Sequence, residues 1–319
     1  MKHLPDILPL RPYFRETVWG GQRLQGLYGK ELPAGKAIGE SFELSAYPER
    51  ESAVREGVLE GWPLSQVLAQ FGGELGVKGE FPLLVKLLDA QDDLSIQVHP
   101  DDRYAQAQGL GRQGKMEAWY VLHSDGGRIA YGLKAGVGRR ELSEAIATGQ
   151  VEDAVQFFPV KPGEVVFSPP GTVHALCRGV VVYEVQQSSD LTFRLCDYNR
   201  PGMDGKPRQL HIAQALEVID FERPLAAPAS WRQFPGGVLV ESEHFSLRRY
   251  GPCQDPVSHR SGAVFMALTL VSGTAQVQGP ATSCALRAGE TALVPAGRQI
   301  EVLPMPRCEY LIAAPGGQP

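Results

Sequence analysis

The sequence predicts a mostly-β fold built of two jelly-roll modules, with a small helical insertion in the N-terminal part. Three observations predict it. The 36 glycines and 25 prolines among 319 residues interrupt the chain too often for long helices to dominate. Apolar residues fall in short runs, rich in β-branched and aromatic types and bounded by Gly or Pro, as strands of a sandwich or barrel do. One strand–turn–strand unit also occurs twice. Gly163-Glu164-Val165-Val166-Phe167-Ser168-Pro169-Pro170-Gly171-Thr172-Val173-His174 is echoed by Gly289-Glu290-Thr291-Ala292-Leu293-Val294-Pro295-Ala296-Gly297-Arg298-Gln299-Ile300. In both, Gly-Glu opens an apolar strand and a Pro-x-Gly turn follows at the same offset, so the echo reads as one unit used in two modules.

In chain order, Pro63 to Phe71 carries helix formers, and Asp101 to Gln108 opens with acids suited to a helix N-terminus. Glu141 to Thr148 and Ile212 to Ile219 are further short helical segments. Glu164 to Phe167, Val180 to Tyr183 and Phe265 to Leu270 read as strands. The Pro- and Ala-rich stretch 224–228 has the composition of a connector, dividing residues 1–225 from residues 226–319. Where the first unit has His174 the second has Ile300, a side chain that can only pack. The C-terminal module is therefore expected to be structural, without metal ligands.

A formal charge of -5 disfavours a nucleic acid or an anionic membrane as the main partner, since both select a basic excess. No apolar run approaches the roughly 18 residues that would span a bilayer. The start Met1-Lys2-His3-Leu4-Pro5 lacks an apolar export segment. Five scattered cysteines without a Cys-x-x-Cys pair read as reduced thiols of a cytoplasmic protein, which removes cysteine as a metal-ligand set.

Four clusters could carry chemistry. In Leu94-Ser95-Ile96-Gln97-Val98-His99, strand alternation puts Ser95, Gln97 and His99 on one face. In Lys115-Met116-Glu117-Ala118-Trp119 the same period groups Lys115, Glu117 and Trp119; an exposed Lys–Glu pair on an edge strand is the plainer reading. His174 follows a tight turn. Glu184 to Arg194 is unusually polar after the apolar Val180 to Tyr183, though a solvated loop would explain it equally well. Taken together, two imidazoles, a carboxylate and an amide oxygen make a plausible N/O site for zinc with room for water or substrate, and iron or manganese would accept similar ligands.

The order Gln97-x-His99-Pro100-Asp101, Lys115-x-Glu117, Pro170-Gly171-Thr172-x-His174-Ala175, Ser189-Asp190-x-x-x-Arg194 resembles type I mannose-6-phosphate isomerases of the cupin superfamily. Val18-Trp19-Gly20-Gly21 and Ile38-Gly39-Glu40-Ser41-Phe42-Glu43-Leu44-Ser45 are similar to that family too, with Phe42 where it often has Trp, in a segment expected to be structural. The likeness is to the shorter bacterial form. It implies cupin-like modules, one zinc held by Gln97, His99, Glu117 and His174, and catalysis by Arg194, Lys115 and Glu184. It also implies a sugar-phosphate substrate met by Lys86, Ser95, Lys115 and Trp19, with the lysines near the phosphate. The implied reaction interconverts mannose 6-phosphate and fructose 6-phosphate through an enediol(ate). Arg194, always cationic, would stabilise charge rather than act as base; Glu184 and a metal-bound hydroxide both stand as candidates for the base. A metal-dependent oxygenase and a non-catalytic sugar-binding regulator are the alternative readings of such a module.

Overall fold

The computed structural model describes residues 3–224 and 226–316; Leu225 of the proposed connector lies outside the described residues. The chain is mostly β, and the described residues form three antiparallel sheets. A seven-stranded sheet runs in the order Ala229–Ser230, Glu164–Ser168, Glu117–Ser124, Val180–Gln187, Leu83–Asp89, Ile38–Leu44, Tyr13–Gly21. A five-stranded sheet runs Phe193–Cys196, Ile96–Val98, His174–Leu176, Arg128–Leu133, Val155–Pro159. The third, nine-stranded sheet holds the strands between Val238 and Pro315 and takes in Leu8–Arg11, which pairs with Thr291–Val294, and Ala53–Val54.

The middle strands of the seven-stranded sheet are covered on both faces, which is why Leu83–Asp89 and Val180–Gln187 are buried at every position. One face, with Leu83, Val85, Leu87, Val181, Tyr183 and Val185, packs on Phe245, Phe265, Leu293 and Leu311 of the C-terminal sheet. Each such side chain contributes about 1.5–3 kcal/mol on burial. The opposite face looks into the sandwich closed by the five-stranded sheet, and there the alternation brings Glu184 and Gln186 inward. Glu184 to Gln187 is thus buried strand rather than solvated loop.

The echo is structural as well as sequential. Gly163 and Gly289 have φ of 87° and 84°, and Gly171 and Gly297 have φ of 85° and 70°, a region where side chains are strained. In each copy the Glu side chain accepts from a backbone N–H three residues earlier, Glu164 from Lys161 and Glu290 from Arg287, both at 2.9 Å. The copies part at the last residue: His174 opens a strand facing the sandwich interior, whereas Ile300 is buried in the C-terminal core.

All four expected helical segments are helices, at Leu64–Leu75, Asp102–Ala107, Arg139–Ala147 and Ile212–Val218. The first buries Leu64, Val67, Phe71 and Leu75 along one face. The second is capped by the Asp101 carboxylate, which accepts from Tyr104 N at 2.7 Å. Arg23–Tyr28 and Val151–Ala154 are also helical; six and four residues are too few to show a 3.6-residue period.

Candidate active site

Two cross-strand rows face each other across the sandwich. In the five-stranded sheet, Gln97 is the register partner of both His174 and Arg194, so His174, Gln97 and Arg194 lie side by side. In the seven-stranded sheet, Glu184 pairs with Trp119 on one side and Lys86 on the other, and Lys86 pairs with Phe42. One register step away, Arg15 pairs with Glu40. A cleft between the rows is lined by all of these but Phe42 and His174, together with Trp19, Ser95, Lys115, Asp190 and Arg208.

At the deep end, His99, Glu117 and His174 converge, with one donor atom from each inside a 4.8 Å cluster; among the described residues it is the one such grouping of histidines and carboxylates. His99 Nδ1 is 2.7 Å from the Leu191 carbonyl and His174 Nδ1 is 2.9 Å from the Thr172 carbonyl. Each imidazole therefore donates to backbone and turns a free Nε2 lone pair inward. These Nε2 atoms stand 3.4 Å and 3.0 Å from the two oxygens of Glu117. Lys115 Nζ is 2.7 Å from Glu117 Oε2 and 3.3 Å from His99 Nε2. Even so, both Glu117 oxygens and His174 Nε2 are buried without a partner at hydrogen-bond angles. Unsatisfied acceptors drawn together this way fit a bound cation. Burial and the neighbouring Lys115 lower the His99 pKa to about 3, keeping the ring neutral as a ligand must be. Burial alone would raise Glu117, but Lys115, His174 and His99 outweigh it and hold the carboxylate well below its usual range. Gln97, the register partner of His174, lines the cleft, its Oε1 accepting from Ser95 Oγ at 3.2 Å.

Beside this set runs a chain of charges, half-buried at Arg15 and buried from Glu40 inward. Arg15 donates to Glu40 at 2.7 Å; Lys86 Nζ is 3.2 Å from Glu40, 3.6 Å from Glu184 and 4.7 Å above the Phe42 ring; Trp119 Nε1 donates to Glu184 at 2.8 Å. Burial, then the charge of Glu117, raises the Glu184 pKa from its ordinary value despite both lysines. Lys86, flanked by two carboxylates, is pushed up instead, although burial opposes it. The Lys115–Glu117 pair is fully enclosed rather than an exposed edge pair.

Arg194 differs from its neighbours. Among the described residues it has no carboxylate partner, and its Nε is buried without a hydrogen bond. Asp190 is held by Arg50 at 2.5 Å, and Asp197 by Arg200 at 2.9 Å and by Arg208. Burial and then Arg208 lower the Arg194 pKa. Its planar fork is left free toward the cleft.

Every candidate site residue named from the sequence lies at this cleft or in the His99–Glu117–His174 cluster. The reading missed Arg15, Glu40 and Arg208. Glu40 sits in a segment taken as structural, and the signal was there: two acids, Glu40 and Glu43, inside a seven-residue strand that is otherwise Ile, Gly, Ser, Phe and Leu. Glu40 reaches the cleft, while Glu43 meets Lys30 at 2.7 Å on the side of the C-terminal module. Trp19 lies against Gly39, where a Cβ would come within 2.5 Å of its ring.

Residues 7–129 match phosphomannose isomerase type I, catalytic domain. The chain is 35% identical over 298 residues to a mannose-6-phosphate isomerase of Streptococcus mutans, covering 92% of this chain and 93% of that one. It is 32% identical over 294 residues to a mannose-6-phosphate isomerase of Bacillus subtilis, covering 90% and 92%. The crystal structure of a mannose 6-phosphate isomerase from Bacillus subtilis superposes with a TM-score of 0.87 at 31% identity, over 97% of this chain and all of that one. A zinc-bound mannose 6-phosphate isomerase shares the fold, with a TM-score of 0.78 at 18% identity over 98% of this chain and all of that one.

Proposed function

Because this chain belongs to the type I phosphomannose isomerase family, we propose that it interconverts D-mannose 6-phosphate and D-fructose 6-phosphate, with one zinc held by Gln97, His99, Glu117 and His174. The observation that carries this reading is what the two facing sheets bring together: a His–Glu–His set in which both Glu117 oxygens and His174 Nε2 lack hydrogen bonds, with His174 and a free Arg194 on the five-stranded sheet, and Glu117 and a Glu184 carboxyl of raised pKa on the seven-stranded one. That combination suits an aldose–ketose isomerisation, which moves a proton from C2 to C1 while charge builds on the adjoining oxygens.

Zinc, when bound, supplies Lewis acidity at the oxygens of C1 and C2. The chain's own residues do the rest. Glu184 is the carboxyl that takes the proton from C2 and returns it at C1, because burial raises its pKa and so makes it a stronger base, and Trp119 and Lys86 fix its two oxygens. Arg194 lies across the cleft with both edges of its guanidinium uncommitted, suited to an oxyanion developing in the enediolate. Lys115 keeps positive charge beside the ligands, and Lys86, Ser95 and Trp19 line the walls against which the sugar lies. Burial excludes water, so each of these charges acts at a lower effective dielectric. Residues 226–319 contribute nothing to the cleft lining and serve as a structural module beside the catalytic residues 1–225. The five free thiols support a cytoplasmic setting, and no helix is long and apolar enough to cross a membrane.

A coupled assay of mannose 6-phosphate conversion, before and after chelation and after zinc is restored, tests the proposal. Turnover should vanish with chelation and return with zinc. Absence of conversion by the metal-replete protein refutes the reading.

A further inference from the structure

Three guanidinium groups line the cleft, Arg194 with no carboxylate partner among the described residues and Arg15 and Arg208 with part of each fork uncommitted, which leaves N–H donors for an anion. Arg194 lies on Phe193–Cys196, the edge strand of the five-stranded sheet. Arg208 lies on the loop that leaves this strand and returns to it, where His211 N donates to the Arg194 carbonyl at 2.9 Å. Arg15 comes from the opposite wall, on Tyr13–Gly21, the edge strand of the seven-stranded sheet. The two edge strands form the mouth, and the His–Glu–His set lies further in: His174 is two strand spacings of ~4.8 Å from Arg194 in one sheet, and the Glu117 strand is four from that of Arg15 in the other.

The commitments of these groups differ in kind from those of the lysines. Lys86 has two carboxylates close by, and Lys115 has Glu117 and His99. Arg15 uses NH1 alone, on Glu40. Arg208 uses its Nε–NH2 edge on Asp197, a carboxylate already shared with Arg200, and NH1 makes no hydrogen bond. Gathering like charges in a partly buried space is unfavourable, and the lowered Arg194 pKa, from burial first, then Arg208, with Arg15 adding to it, expresses that. An incoming dianion removes the repulsion and meets donors on both walls.

We propose that Arg15 and Arg208 are the residues that recognise the phosphate of the substrate, gripping it from the two sides of the mouth while the sugar carbons extend inward. This rests on the isomerase reading above. The arginine fork suits a phosphate, two N–H groups meeting two oxygens. With the phosphate held at the edge strands, C1 and C2 reach the metal-ligand end, and Arg194 stays free for the reacting oxygens. Selection of phosphorylated over free sugars then resides in two side chains that touch no reacting atom.

The test uses zinc-replete enzyme and the variants Arg15→Met and Arg208→Met, each with its Lys counterpart. Folding is safeguarded because Glu40 keeps Lys86 and Asp197 keeps Arg200 as partners. Each Met variant should raise KM for mannose 6-phosphate roughly tenfold or more with kcat little changed, as loss of uniform binding does. Inhibition by inorganic phosphate should weaken in parallel, slow conversion of unphosphorylated mannose should stay within about twofold of wild type, and the Lys variants should recover part of the loss. Unchanged KM and unchanged phosphate inhibition overturn the assignment, and so does an equal loss on both sugars, which marks a structural role. Calorimetry of inorganic phosphate binding to wild type and both Met variants keeps the test separate from the isomerase reading. Tight phosphate binding abolished in the variants upholds the anion site even if mannose 6-phosphate is not converted.

Discussion

Replacing Arg194 by lysine separates catalysis from metal binding and from folding. The arginine makes no salt bridge in the protein, since Asp190 belongs to Arg50 and Asp197 to Arg200 and Arg208. The swap therefore breaks no native ion pair, and stability should move by no more than about 0.5 kcal/mol, as for substitutions that disturb no packing or network. Lysine retains the charge but offers a point donor in place of a fork. A hydrogen bond to a charged group contributes about 1.5–3 kcal/mol. Losing one of two such bonds in the transition state lowers kcat about 10- to 150-fold, at about 1.36 kcal/mol per factor of ten. Steady-state kinetics on folded, zinc-replete Arg194→Lys, with circular dichroism and metal analysis alongside, gives the answer. kcat and kcat/KM should fall together, with KM little changed. Near-normal turnover would remove Arg194 from the chemistry, and a change confined to KM would make it a binding residue only.

His99→Ala and His174→Ala should each lose bound zinc by elemental analysis, whereas Ile300→Ala should keep it and lose about 2–5 kcal/mol of stability as a large-to-small core change; retention of full metal in both histidine variants contradicts the ligand set. Glu184 holds its proton to higher pH than an ordinary carboxyl, so kcat should fall as pH is lowered through that raised pKa. Glu184→Gln should abolish both turnover and exchange of the C2 hydrogen with solvent deuterium, and persistent exchange would point to another base. Lys30 is bound to Glu43 at 2.7 Å and to the Gly289 carbonyl at 2.8 Å, fully enclosed. Lys30→Met should cost about 3–5 kcal/mol by leaving a buried carboxylate unpaired, and Lys30→Met/Glu43→Leu should restore most of it in denaturant titrations. Without Lys30 the Glu43 carboxyl is protonated more readily in the folded than in the unfolded chain, so the single variant's deficit should grow as pH rises; a deficit independent of pH would show that packing, not charge, is what Lys30 supplies.

Local sequence determined the β class, the duplicated unit and the ligand types, because each rests on short-range physics. Alternation by two decides that Gln97 and His99 share a face, and a Pro-x-Gly turn followed by His rather than Ile decides which copy carries an imidazole. Tertiary structure alone decided what stands opposite what. Sheet order brings Glu184 between Trp119 and Lys86 and lays Arg194 beside Gln97, pairings between segments as much as 98 residues apart, the separation of Lys86 and Glu184. Glu184 looked as much like a solvated loop residue as a buried base, because polarity in sequence does not say whether a second sheet covers it. Arg15 and Glu40 are illegible for the same reason: their strands look like scaffold until the sandwich closes and makes these two side chains part of a wall of the cleft. Burial, which raises Glu184 and leaves Arg194 without a partner, is a property of that closure and of no segment taken alone.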